Sequence, residues 1–487
     1  MEAQGGGTEA PRSKGKEIPG IIRKMTNLER AFYRVPGLKV PLVARIEGDV
    51  SVERLRQSLE RVRKKHPLVG AKVVFDDRHQ AWFSNHSIPE PRVTVVDRQS
   101  ESHWFEVFQD LQKKPYAPQV RPMIDYALVR SDTLSDLILL ASHSICDGSA
   151  MVILLRDIME SYAHPDMQIE EVFPLQMSDY LPKHRWSVKA WLTKLYAAGA
   201  NRRWRKNPHY FSQQDYEVVN DAFWANREYG SVFFELAPED TRRLQETCHR
   251  ERVSIGSAIA MAFIAAHEQL EGAFVKNERL VSIPFDLRRH ATKPVGNLFS
   301  LCVGTLMLPF AYEEKRGFWE NVRLLNAGVK KRTGNLNSAY LELEYFDPAF
   351  LDAFCVFAAP VLHNSRVREA SGNLAAFALD GDNPAFKVVR AYEKKVPGTL
   401  ASNVGIAEIP EQFGDLKLLR LAIPSIIHEH VKLLLLGITL AGRVVYTMGY
   451  LEEAGNPQKP QTTRFVHIRN RALELLGFPE KISDKAM

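Results

Sequence analysis

A chain of 487 residues exceeds what one hydrophobic core usually covers, so two domains of roughly 200 residues each are expected. Apolar content of 45% and charged content of 25% are those of a soluble globular protein, and the net charge of +6 suits anionic partners such as coenzyme A phosphates, acidic carrier proteins or lipid head groups. No compact Lys/Arg block is interleaved with recognition motifs, which argues against nucleic acid, and no run of about 18 apolar residues argues for a spanning helix.

In chain order, residues 1–20, with Gly5, Gly6 and Gly7 among alternating charges, read as a disordered tail without the apolar core of a signal peptide. A first unit over 21–168 opens with a short helix near 25–33 and a strand near 40–46. Ser51 then starts a helix with Val52, Leu55, Leu59 and Val62 on one face, stopped by Pro67. A hairpin over 71–75 and 80–83, a strand at 93–96, a helix at 104–113 and two antiparallel strands at 123–129 and 137–142 follow. This mixture predicts a two-layer α/β sandwich.

The second strand ends in the stretch around which the chain is organised, Ala141-Ser142-His143-Ser144-Ile145-Cys146-Asp147-Gly148-Ser149. Leu137 to Ala141 are apolar without interruption, the pattern of a strand covered on both faces, and Met151, Ile153, Leu154, Leu155, Ile158 and Met159 repeat at helical spacing behind it. Ser149 is placed to cap that helix and Pro165 to stop it. His143 therefore sits where a central strand gives way to a loop, with Gly148 suiting a tight backbone and Asp147 able to accept loop amides or pair with an arginine. A loop held this way fixes the direction of an imidazole, as general-base chemistry requires. A lone histidine beside a core strand is also commonly a packing residue.

Residues 169–229 break the rhythm with Pro174, Pro182 and Pro208 and read as a crossover linker. Within it, Trp186, Trp191, Leu192, Leu195 and Tyr196 predict an amphipathic helix beside Arg202, Arg203, Arg205 and Lys206. One reading is a peripheral membrane or lipid contact; the favoured one is a linker whose aromatics pack and whose cations are solvated. A second unit over 230–487 carries strands near 230–236, 276–285, 400–407, 416–421, 432–441 and 443–450. Its helices are predicted from Pro238 and near 257–270, 318–331, 348–362 and 463–476. The similar order of elements hints at two related lobes.

Cys146, Cys248, Cys302 and Cys355 are scattered without metal-ligand spacing, so neither a metal site nor a disulfide framework is indicated and a reducing cytoplasm is the natural setting. A Cys146 thiolate beside His143 would be a familiar catalytic pair, but three positions apart in a tight loop they are poorly disposed for it.

His143-Ser144-Ile145-Cys146-Asp147-Gly148, with Asp286-Leu287-Arg288, Gly296-Asn297, Ser402-Asn403-Val404-Gly405 and Phe413-Gly414-Asp415, resembles the condensation-domain superfamily. That group includes nonribosomal peptide condensation domains, plant-type BAHD acyltransferases, alcohol acetyltransferases and polyketide-associated acyltransferases. The match runs over most of residues 25–480, in order and spacing. It implies two chloramphenicol-acetyltransferase-like lobes forming a V, an interface channel with His143 midway, and cross-lobe pairing of Asp147 with Arg288. It also implies that the residue matching His143 helps deprotonate a hydroxyl or amine, which attacks an acyl thioester of coenzyme A or a carrier protein acting in trans. No metal and no tightly bound cofactor is expected. By motif position, Ser402 or Asn403 is the candidate oxyanion or substrate contact. Many relatives have a second histidine where this chain has Ser142, and the turn at Phe413 matches the BAHD motif only loosely. An amide-forming condensation enzyme using carrier-bound substrates and a silent relative that recruits a partner are the alternative readings. Apolar substrates would suit Phe285, Phe299 and the tryptophan-rich crossover.

Overall fold

The uninterrupted apolar run before His143 becomes the strand Leu134–Ser142, here called the motif strand. Leu137, Leu139 and Ala141 enter one core, while Ile138 and Leu140 enter another with Trp104 and Phe108 of the helix His103–Lys113. This is the two-residue alternation of a strand buried on both faces. The computed structural model describes residues 18–182, 188–333, 343–394, 396–424 and 431–482. In it the motif strand lies inside a six-stranded sheet ordered Gln412–Phe413, Leu416–Ala422, Lys39–Glu47, Leu134–Ser142, Ile124–Arg130, Val93–Asp97. The last pair is parallel and the others antiparallel.

A second six-stranded sheet is ordered Val303–Pro309, Leu280–Asp286, Thr399–Ile406, Leu433–Leu440, Arg443–Glu453, Arg227–Leu236. Thr399–Ile406 runs parallel to both of its neighbours. The predicted hairpin forms as Lys72–Phe75 with Ala81–Ser84, and Ile21–Lys24 extends it into a small third sheet. Val52–Lys65 packs against Gly148–Ala163 beside the first sheet, and Ile255–Glu271 against Pro460–Leu476 beside the second. The expected two-lobe α/β architecture is therefore present.

Two boundaries differ from the sequence reading. The unit expected over 230–487 is not one continuous lobe, because Leu416–Ala422 pairs with Lys39–Glu47 and adds a strand to the first sheet. The cause is a sheet edge that would otherwise leave a row of backbone groups unpaired. Leu416 and Leu418 bury themselves there while Lys417 stays exposed. Phe413-Gly414-Asp415 is the turn of the hairpin that delivers this strand, with Phe413 opposite Leu416 and Gly414 at φ +57°.

The expected linker over 169–229 holds two helices, Val188–Trp204 and Gln213–Trp224. Ala200, Trp204, Tyr216 and Val219 join Phe350, Phe357 and Phe377 in a separate helical core. The strand Arg227–Leu236 also begins before residue 230. The tail expected over 1–20 lies outside the described residues as far as 17, and Trp186 lies outside them as well. Among the described residues no single helix is long and apolar enough to cross a membrane.

Candidate active site

Immediately after the motif strand the backbone turns, with the Ile145 N–H donating to the Ser142 carbonyl, and the helix Gly148–Ala163 begins. Asp147, not the expected Ser149, caps it: the Asp147 carboxylate accepts from the Ala150 N–H at 2.8 Å. An aspartate side chain at this position satisfies one of the amides a helix start leaves unpaired. The same carboxylate accepts from the Cys302 N–H at 2.7 Å and from Arg288 Nη1 at 3.0 and 3.1 Å. One side chain thus ties the His143 loop, its helix and the other lobe together.

Arg288 is held from several sides. Its Nη1 also donates to Asp286 Oδ1, and its Nη2 to the Leu298 and Ser300 carbonyls at 3.0 and 2.9 Å. Both partners of the cross-lobe pair are more than nine-tenths buried. Burial works against the guanidinium's charge, but the Asp147 charge, with Asp286 nearby, raises its pKa above the ordinary value.

His143 is buried beneath Phe32, whose ring centroid lies 4.7 Å away. Its Nδ1 lies 2.9 Å from the Cys146 carbonyl oxygen. A carbonyl only accepts, so Nδ1 carries the hydrogen and, in the neutral ring, Nε2 carries the lone pair. Burial lowers the His143 pKa, opposed by the Cys146 carbonyl and the Asp147 charge. The imidazole is thereby kept neutral near pH 7 with one nitrogen ready to take a proton.

Cys146 cannot share that work. Its thiol donates to the Ser142 carbonyl, it is fully buried, and burial pushes its pKa well up. Cys146→Ala is expected to leave turnover within the same order of magnitude, read in the thiol-release assay described below. Ser142, where many relatives have histidine, is hydrogen-bonded to Ser144 Oγ at 2.9 Å.

Ser402 and Asn403 point in opposite directions. In Thr399–Ile406, Ala401 packs on the core beneath Ile255–Glu271, whereas Val404 packs on the core of the first lobe. Strand alternation puts Ser402 on the Val404 face, toward the His143 loop, and Asn403 on the other. Asn403 Oδ1 accepts from the Gly405 N–H, and its amide nitrogen lies near Gly256. Phe299 is buried in the first core against His66, so it does not offer the substrate-facing surface expected of it.

No protein-family model matches the sequence, and no curated protein matches it. Solved structures do. Trichothecene 15-O-acetyltransferase from Fusarium sporotrichioides superposes with a TM-score of 0.61 at 12% identity, over 94% of this chain and 95% of that one. Polyketide synthase associated protein 5 from Mycobacterium tuberculosis gives 0.55 at 12% identity, over 96% and 100%. The first condensation domain of the CDA synthetase gives 0.57 at 13%, over 95% and 97%. The chain has the condensation-domain fold.

Within this condensation-domain fold, the motif residues His143, Asp147, Gly148 and Arg288 come together, as does the Ser402 face of the neighbouring strand. The amide of Cys302, the carbonyls of Leu298 and Ser300, and the Phe32 ring were not foreseen from sequence. Three of these are backbone groups, which any residue type supplies. Gly148 is required by a close approach: a Cβ there would lie 2.6 Å from Val404 Cγ2 across the lobe junction. Gly148→Ala is expected to cost about 1–3 kcal/mol of stability by overpacking. Adding Val404→Ala should recover part of that loss, a reversal visible in urea melts of the single and double variants.

Proposed function

We propose that the protein is an acyltransferase that moves an acyl group from a coenzyme A or carrier-protein thioester to a hydroxyl or amine, with His143 as general base. The observation that carries this reading is the Nδ1–H bond from His143 to the Cys146 carbonyl, which leaves Nε2 basic. As the acceptor attacks the thioester carbonyl carbon, its proton passes to Nε2. The tetrahedral oxyanion then collapses, the carbon–sulfur bond breaks, and the imidazolium returns the proton to the departing thiolate. Ser402, on the strand face toward the loop, is the better placed of the two candidate oxyanion donors; a well-aimed donor contributes about 3 kcal/mol. Asp147 and Arg288 position the loop without touching the reacting atoms. The fold shared with an acetyltransferase and condensation domains supports the same class of chemistry.

The test is thiol release from purified protein given a panel of acyl-coenzyme A and acyl-carrier thioesters, each with mixed alcohols and amines. Acceptor-dependent release is expected, and the donor that works separates coenzyme A from carrier protein. A folded protein that binds donors and releases no thiol from any of them would sink the reading. The pH profile is a second test. His143 acts as the neutral ring, so activity falls as pH drops through its pKa, and burial places that midpoint below the ordinary value near 6.5. Because the unfolded chain takes up the proton more readily, the same shift removes stability as pH falls below about 6.5.

A further inference from the structure

The helix Val188–Trp204 has two different apolar faces. One is spent on packing: Ala197, Ala200 and Trp204 are buried, Trp204 lies 5.4 Å from Phe350, and Asn201 is hydrogen-bonded to the Tyr345 carbonyl and the Asp347 amide. The other is bare. Val188, Trp191, Leu192, Leu195 and Tyr196 are each half or more exposed, and 3.6-residue spacing sets them along one side of the helix. Of the two sequence readings, the favoured one had these aromatics packed; the helix instead holds them out to solvent, where exposed apolar patches of this kind mark contact surfaces.

Charge identifies what covers the face. From Lys183 to Lys206 the sequence carries eight Lys or Arg and no Asp or Glu. Arg202 and Arg203 continue the apolar stripe and are exposed. Beside the stripe, Lys194, Ala198, Asn201, Arg202, Arg205 and Tyr345 line an open surface depression of about 370 Å³. Arg205 is partly neutralised by Asp347, which leaves Lys194 and Arg202 as its cations toward a ligand. Tryptophan and tyrosine with aliphatic side chains on a helix face, followed by cations, is the arrangement that rests at a lipid interface. There the apolar groups enter the acyl boundary while the cations meet phosphates.

We infer that the protein docks on anionic lipid surfaces through the exposed face of Val188–Trp204, with lipid phosphates meeting the cations of the open depression beside it. This inference is independent of the catalytic proposal. The full-length protein is tested by co-flotation with vesicles of phosphatidylcholine alone and of phosphatidylcholine with phosphatidylserine. Binding is expected to the anionic vesicles only, and to weaken as salt is raised. Trp191→Ser with Leu195→Ser should reduce it to the neutral-vesicle level. Arg202→Gln with Arg203→Gln should weaken it about fivefold for each cation removed. Both variants alter exposed residues, so unchanged melting curves are expected alongside.

Three results would overturn the inference: no co-flotation of wild type with anionic vesicles, equal co-flotation of the variants, or a wild-type dimer in sedimentation velocity that Trp191→Ser with Leu195→Ser dissolves. The last would assign the face to a second copy of the chain.

Discussion

His143→Ala is expected to lower acceptor-dependent thiol release by at least about a hundredfold, the lower end of the 10²–10⁴ range for a positioned general base. That corresponds to roughly 3–5 kcal/mol of barrier. The loss should fall on kcat, because proton transfer belongs to the transition state and not to donor binding. His143→Asn sharpens the test. An asparagine amide nitrogen stands where Nδ1 does and can still donate to the Cys146 carbonyl, yet it cannot take a proton. Turnover near the wild-type rate in His143→Asn would remove the histidine from the chemistry and leave it a loop-fixing residue. In both variants the residual rate should no longer show the acid limb, because the group that titrates there is gone.

Arg288→Ala is expected to be the most destabilising single change at the site, by about 3–5 kcal/mol in urea unfolding, since it strands the buried Asp147 carboxylate without its counter-ion. The Leu298 and Ser300 carbonyls lose their donor in the same step. Arg288→Lys should rescue little. A point charge with three donors does not reproduce a guanidinium fanned across two carboxylates and two carbonyls. Asp147→Ala combined with Arg288→Ala should cost less than the sum of the single changes, because Asp147 is no longer stranded, and Asp286, the other carboxylate on Arg288, keeps the backbone N–H of position 288. Strict additivity would show that the two side chains do not act as a pair.

Much of the site was legible because its chemistry is carried by residue types. An unbroken apolar run, a histidine at its end and an aspartate and glycine at fixed offsets specify a buried strand, a turn and a helix start without tertiary information. The cap was read at Ser149, two positions beyond the Asp147 that forms it, because both are good caps and only the backbone decides which carboxylate or hydroxyl reaches the third amide.

The direction of Asn403 was not legible, since a one-residue alternation depends on which face of Thr399–Ile406 meets the other lobe. Nor was the strand Val303–Pro309, a stretch left unassigned from the sequence, where exposed Thr305 interrupts an apolar run. The exposed aromatics of Val188–Trp204 were misread for a related reason. Burial of a helix with apolar residues on two sides depends on which side finds a partner, and here the small face of Ala197 and Ala200 did.

The strand Leu416–Ala422 also sets an order of events in the life of the chain. Its Ala422 pairs with Val43, so the sheet that carries His143 has an open edge until residue 422 has been synthesised. During translation at about 5–20 residues per second, the outer edge of Lys39–Glu47 waits for tens of seconds without its partner. The histidine loop is likewise without Arg288 for part of that time. The two lobes are therefore a single folding unit in time, and a polypeptide released before residue 422 would leave the ribosome with an adhesive sheet edge.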